Sequence, residues 1–298
     1  MSTAPVFVHL ESLAADMAAR PDAERVRFIY AERWIGFPRA ELGLSLLRDL
    51  IQHPPCARMP CLLIHGDSGM GKTKIVERFR RDFPDDFDTE QGRARRPVVV
   101  MEMPPGPGEQ RFYGQLLATL NAPHHGYERL DVLEQIALRL LRAINPRMLI
   151  IDEVHNLLAG TPREQRRTLN LLKFLANQLR VPLVCLGTDD ALRAMQSDPQ
   201  IASRFEPFHL PRWCADAAFR SLLATLEAAL PLRKPSNLGQ KSMVEYILTH
   251  SGGITGNVVR LLTRAAVYAI LDGQERMDAA VLERGLRPPP IERKQPVL

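Results

Sequence analysis

Several things are missing from this sequence, and each absence removes a class of protein. Its four cysteines, Cys56, Cys61, Cys185 and Cys214, form no Cys-x-x-Cys pair and have no histidines at metal-site spacing. Neither a zinc site nor a disulfide framework is therefore expected, and a reducing cytoplasm suits such a chain. No apolar run approaches the length that crosses a bilayer. The N-terminal apolar stretch lacks a basic start and is interrupted by Glu11 and Asp16, so the expectation is a soluble, unexported, cytoplasmic protein with no membrane partner. There is no internal repeat and no low-complexity tract. There is no Asn-Lys-x-Asp segment of the kind that reads guanine, and no separate carboxylate triad that would serve nuclease chemistry.

What is present begins with residues 66 to 73, Gly-Asp-Ser-Gly-Met-Gly-Lys-Thr, a complete G-x-x-x-x-G-K-[ST] phosphate-binding loop. Glycines let backbone N–H groups turn inward around phosphates, and the positive end of the following helix favours an anion. Gly66, Asp67, Ser68, Gly69, Met70 and Gly71 form the cradle, Lys72 reaches the outer phosphates, and Thr73 offers its hydroxyl to Mg2+. The apolar run 148–151 ends in Asp152-Glu153. Asp152 is placed to hold the same ion, directly or through water, and Glu153 to act on a water as general base. A glycine-rich turn alone can be only a turn, and an apolar run ending in Asp can be any buried strand. Here Cys61-Leu-Leu-Ile-His65 reads as a strand directly before the loop, and 74–81 has helical spacing directly after it, which is the order the motif requires. ATP or GTP binding with Mg2+, and hydrolysis, is the expected chemistry.

The chain's 298 residues and 45% apolar content allow one large domain or two modest ones. Prolines cluster where elements should end, at 54–55, 104–107 and 288–290. A formal charge of +5 fits a polyanionic partner but serves solubility equally well. Residues 1–55 read as an N-terminal helical extension, with helices at 12–19, 23–32 and 39–52 and an aromatic patch, Trp34-Ile-Gly-Phe-Pro38, between the last two. That patch is either a hydrophobic elbow or, if the chain is similar to ring-forming ATPases, where the equivalent place contacts the adenine, part of a base pocket through Ile35 and Gly36.

Residues 56–212 alternate strand and helix signals. Strands are expected at 61–65, 97–103, 147–152, 182–188 and 205–210, and helices at 74–81, 110–120, 130–143, 163–180 and 190–196. The pattern predicts an α/β, three-layer P-loop NTPase fold with a parallel five-stranded sheet. Residues 213–286 then carry only helical signals, at 215–230, 237–250, 257–271 and 277–285, and read as a small C-terminal all-helical lid. Residues 287–298 read as a flexible proline-rich tail.

Three further positions bear on mechanism. Thr188 ends the apolar run Val181-Pro-Leu-Val-Cys-Leu-Gly-Thr. Beside the Asp152 strand it would hydrogen-bond the attacking water or the terminal phosphate; otherwise Gly-Thr is a turn. Arg204, in Ile201-Ala-Ser-Arg-Phe-Glu-Pro-Phe, either pairs with Glu206 or another carboxylate or, if the chain is similar to ring or filament ATPases, faces a neighbouring subunit's nucleotide and stabilises transferred charge. Arg260, one place after Val259, is either a nucleotide sensor or a solvent-facing helix residue.

With phosphate loop, Asp-Glu strand, Gly-Thr strand end, Ser-Arg-Phe and helical lid in this order, the chain resembles the AAA+ ATPases. Four segments narrow the likeness: Ala31-Glu-Arg-Trp-Ile-Gly-Phe-Pro-Arg-Ala, Leu62-Leu-Ile-His-Gly-Asp-Ser-Gly-Met-Gly-Lys-Thr, Ile150-Ile-Asp-Glu-Val-His-Asn-Leu-Leu-Ala-Gly and Gly252-Gly-Ile-Thr-Gly-Asn-Val-Val-Arg-Leu-Leu. Through these the chain resembles the TniB family of transposition regulators, relatives of TnsC, over essentially its whole length. The third and fourth segments are more telling than the phosphate loop, because a generic ATPase needs neither His155-Asn156 nor that lid sequence.

The resemblance implies an ATPase that assembles with ATP and Mg2+ as a ring or helical filament on double-stranded DNA and marks a transposition target. It would recruit a TniA-like DDE transposase, work with a TniQ-like targeting protein, and disassemble on hydrolysis. Candidate DNA contacts are Arg111, after the 104–108 turn, and Arg163, Arg166 and Arg167, at the start of a long helix; the bland reading is a solvated basic face that Glu164 partly neutralises. Three other readings stay open. They are a replication-type helicase loader, a nucleotide-gated scaffold that never touches DNA, and a small-molecule kinase.

Overall fold

A computed structural model of the protein describes residues 7–290, apart from residues 57, 91, 124, 126 and 127. The expected tail therefore lies outside the described residues from position 291 onward. In chain order the elements are α1 (Ser12–Ala18), α2 (Asp22–Tyr30), α3 (Pro38–Gln52), β1 (Cys61–His65), α4 (Lys72–Asp82), β2 (Asp86–Asp88), β3 (Arg93–Arg95) and β4 (Val98–Glu102). They continue with α5 (Glu109–Thr119), α6 (Leu130–Ile144), β5 (Met148–Asp152), a 3-10 helix Val154–Ala159, α7 (Pro162–Leu179), β6 (Leu183–Gly187), α8 (Asp189–Gln196), α9 (Pro199–Ala202) and β7 (Phe205–His209). The last four helices are α10 (Ala217–Ala229), α11 (Lys241–Ser251), α12 (Thr255–Leu271) and α13 (Ala279–Gly285).

The chain divides into two compact units, Arg39–Pro211 and a second made of Met1–Pro38 with Arg212–Leu298. In the first, β4, β5, β6, β1 and β7 lie side by side in that order, all parallel. β1, β5 and β6 read as continuous apolar runs because a parallel sheet covered by helices buries both faces of its strands. Every residue of β1 and β6 is buried, as is every residue of β5 before Asp152. Helices supply the cover with residues at helical spacing: Phe112, Leu116 and Leu117 from α5, Leu133, Ala137 and Leu141 from α6, and Leu169, Leu172 and Leu175 from α7. α7 opens on a complete capping box, in which Thr161 and Glu164 satisfy each other's backbone N–H, and Pro162 occupies the first turn. The crossover from β1 to β4 on the far side of β5 and β6 leaves a switch of chain direction at the C-terminal end of β1, where open α/β sheets bind ligands.

The small antiparallel pair β2–β3 goes beyond the sequence expectation. Its strands have three residues each and are rich in charge, which gives no period to read.

The second unit is all helical. α1 and α2 belong with α10 to α13, whereas α3 belongs with the sheet. Val26 and Ile29 of α2 enter a core with Phe219, Leu223, Ile247, Val258 and Leu262. Arg25, fully buried, donates to the Pro231 carbonyl and pairs with Glu275. Burial works against the Glu275 carboxylate, yet hydrogen bonds from Arg25 and the Arg233 backbone, with both arginine charges, hold it below the ordinary range. A buried charge must be paired, so this contact ties α2 to the chain's C-terminal third. At the other end, the Tyr268 hydroxyl donates to the Pro288 carbonyl at 3.1 Å and Pro289 is buried, so packing continues into the first part of the expected tail.

Candidate functional site

The phosphate loop leaves β1 and runs into α4, and its glycines are demanded by geometry at two points. Gly66 has φ +149°, and a Cβ there would stand 2.4 Å from the Leu210 carbonyl oxygen at the end of β7. Gly71 has φ +96° where the chain turns into α4. Between them Met70 is buried, its N–H bonding to the Asp67 carbonyl at 3.3 Å, while Ser68 and Gly69 are exposed.

Lys72 is only 8% exposed. Its ammonium donates to the carbonyls of Gly66 at 2.8 Å and Asp67 at 2.9 Å. Burial pushes it below the ordinary lysine range, opposed by the charges of Glu153, Asp152, Asp67 and Asp189, in falling order.

Residues 79 positions apart meet next to it: the Thr73 hydroxyl donates to Asp152 Oδ2 at 2.7 Å. The other Asp152 oxygen accepts the Glu153 backbone N–H at 2.7 Å. A hydroxyl and a carboxylate presenting only oxygen suit a hard cation such as Mg2+. Glu153 itself has φ +54°, the left-handed region, which turns the chain sharply out of β5 into the 3-10 helix.

β6 places Thr188 beside these groups. Gly187 pairs with His65, and its carbonyl accepts the Gly66 N–H at 3.3 Å. The Thr188 hydroxyl is buried with no hydrogen-bond partner among the described residues. The His65 ring approaches the Asp189 carboxylate at 2.8 Å and stacks on His209, fixing this end of β6 and α8 against β1.

Other expected residues stand apart. Arg204 lies at the start of β7, where its carbonyl accepts the Cys61 N–H. The phosphate loop leaves the opposite end of β1, about 16 Å away at the usual strand rise. Its guanidinium donates to Asn177 Oδ1 at 2.7 Å, and no carboxylate pairs with it among the described residues. Arg111, Arg163, Arg166 and Arg167 are exposed. Hydrogen bonds from Thr161 hold the Glu164 carboxyl below its ordinary range, with Arg167 and Arg111 adding their charge, so the starts of α5 and α7 share one electrostatic neighbourhood. The turn before α5 also touches the turn before α7, since a Cβ on Gly160 would collide with the Pro107 ring.

Three expected nucleotide contacts belong to the helical unit. Ile35 and Gly36 are half-buried, and Ile35 and Phe37 pack on that unit's core, with Phe37 edge-on to Trp213 at 5.0 Å. Arg260 is exposed and donates to Asn257 one turn earlier. Among the described residues, no single helix is long and apolar enough to cross a membrane.

Solved structures with this fold include Cdc6p from Pyrobaculum aerophilum, at 18% identity over 84% of this chain and 67% of that one, with a TM-score of 0.59. They also include the Aeropyrum pernix ORC1 protein in complex with DNA, at 15% identity over 87% of this chain and 68% of that one, with a TM-score of 0.58. The chain thus spans about two thirds of the length of each. The fold is that of the P-loop AAA+ ATPases. Comparison with curated proteins gives no match. The family model described as bacterial TniB protein matches residues 25–215, which include the phosphate loop, the Asp152 strand and Thr188, and by that match the chain belongs to the TniB family.

Proposed function

We propose that this protein is an ATPase that assembles with ATP on double-stranded DNA, marks a transposition target and recruits a DDE transposase, with hydrolysis driving disassembly. The observation that supports the ATPase part of this reading is the 2.7 Å contact between Thr73 and Asp152, the two residues that would hold magnesium. Magnesium, when bound, neutralises charge on the outer phosphates. Thr73 and Asp152 would hold it, and Lys72 would exchange its loop carbonyls for phosphate oxygens. Glu153 would take a proton from the attacking water, and Thr188 would orient that water or the terminal phosphate.

Arg204 is proposed to act on the nucleotide of a neighbouring copy, because β1 separates it from the loop of its own chain. A site completed across an interface makes assembly depend on nucleotide, and departure of the terminal phosphate removes the bridge between subunits.

DNA binding is proposed for the face carrying Arg111, Arg163, Arg166 and Arg167. Family membership supports it, and the same fold occurs in the A. pernix ORC1 protein solved with DNA. Phosphate contacts give salt-dependent, largely sequence-independent affinity, as a target selector needs. Filter binding to random duplex with ATP should therefore show affinity that falls steeply with salt. Replacing Arg163, Arg166 and Arg167 together by Ala should flatten the log–log slope by about 0.9 for each DNA phosphate that the variant no longer neutralises. No affinity at low salt would contradict DNA binding. A TniA-like transposase retained by the ATP-bound protein, in preference to a replicative helicase, would separate the transposition role from that of a helicase loader.

A further inference from the structure

We infer that His155 is the positioning residue for Glu153, holding one carboxylate oxygen so that the other faces the water; this rests on the reading of Glu153 as general base. His155 Nε2 stands 3.0 Å from Glu153 Oε2, and the two side chains are only partly exposed, at 31% and 40%. A proton on Nε2 would place a donor at that oxygen, and Nδ1 is buried with no partner among the described residues.

The turn that carries the ring is fixed on both flanks. Toward β4, the Asn156 side-chain amide donates to the Met103 carbonyl at 2.9 Å, and the Met103 N–H donates to the Asp152 carbonyl at 2.8 Å. Toward β6, Val154 packs so closely that a Cβ on Gly187 would lie 2.9 Å from its Cγ1. The Asn156 N–H closes back onto the Glu153 carbonyl at 2.9 Å. In His155-Asn156 the asparagine anchors the turn and the histidine aims the acid.

Such a donor has work to do. Among the carboxylates, the charge of Glu153 acts most strongly on the Lys72 ammonium. A donor on Oε2 keeps the acid off the lysine while leaving Oε1 free. The consequence is a specific kinetic signature: removing the donor should lower turnover and spare ATP affinity.

The test uses the full chain with duplex DNA and Mg–ATP. His155→Ala should lower kcat about tenfold, the order expected for one charge-assisted hydrogen bond, with KM within about twofold of wild type. His155→Gln, which carries an N–H at similar reach, should recover most of that activity. Adding His155→Ala to Glu153→Gln should cost nothing further, because the donor acts through the acid. Should the alanine variant fail to bind ATP, His155→Phe keeps the ring volume without the donor and carries the same test. Unchanged kcat without the donor, a glutamine variant as slow as the alanine one, or an additive effect in the Glu153→Gln background would each overturn the proposal. Wild-type turnover in Glu153→Gln alone would instead overturn the base assignment beneath it.

Discussion

Lys72→Ala should weaken ATP binding by about 100-fold or more, the size expected when one partner of a desolvated charge pair is removed. The reason lies in how the lysine is held. Its ammonium is buried and rests on two loop carbonyls, within reach of the charges of Glu153, Asp152, Asp67 and Asp189. A phosphate group brought into the same loop adds negative charge to a place where four carboxylates already lie nearby, and the lysine is the cation that offsets them. Without it the loop retains its backbone donors but faces repulsion from those acids. Titration with a fluorescent ATP analogue measures the effect, and wild-type affinity in the variant would remove Lys72 from the phosphate site.

Glu153→Gln should act on the other side of the cycle. An amide cannot accept the water's proton, so turnover should fall by about 10²- to 10⁴-fold while ATP stays bound. The substitution keeps the shape of the side chain and its place after the left-handed turn, so binding and assembly should persist and the protein should remain on DNA. Arg204→Ala should also slow turnover, but only in the assembled state. Mixing the two variants separates action in cis from action in trans. An Arg204→Ala subunit still brings a complete Glu153 site, which a neighbouring Glu153→Gln subunit can finish with its own Arg204. Recovered turnover in the mixture is the expected result, and a mixture as slow as its parts would return Arg204 to a purely local role beside Asn177.

The elements that carry the candidate phosphate site were legible in the sequence because they are short contiguous runs with their own residue pattern. The strand, loop and helix around Gly66 to Thr73 are local. The Asp152 strand announces itself by being apolar throughout, as a buried parallel strand must be. Long-range pairings were not legible. Nothing near Arg25 says that its counter-charge is Glu275, 250 positions later, in the unit to which the first two helices belong. The Thr161 capping box could be read from spacing, but the β2–β3 pair could not, since strands of three residues carry no period. His155 stood out in the sequence without a role. Only the left-handed turn at Glu153 brings the ring back onto the residue two places before it. For Arg204 the sequence left open an ion pair with Glu206; the structure gives it an uncharged partner, Asn177.

In the proposed assembly, nucleotide held by Lys72, Thr73 and Asp152 is closed by a second copy of the chain on DNA. Electron microscopy of the full-length protein with duplex DNA and a non-hydrolysable ATP analogue tests it most directly. Rings or helical filaments around the duplex, with nucleotide at each subunit boundary and Arg204 of one subunit facing the phosphates of the next, are the predicted result. Single subunits with nucleotide bound and no contact to DNA would contradict it.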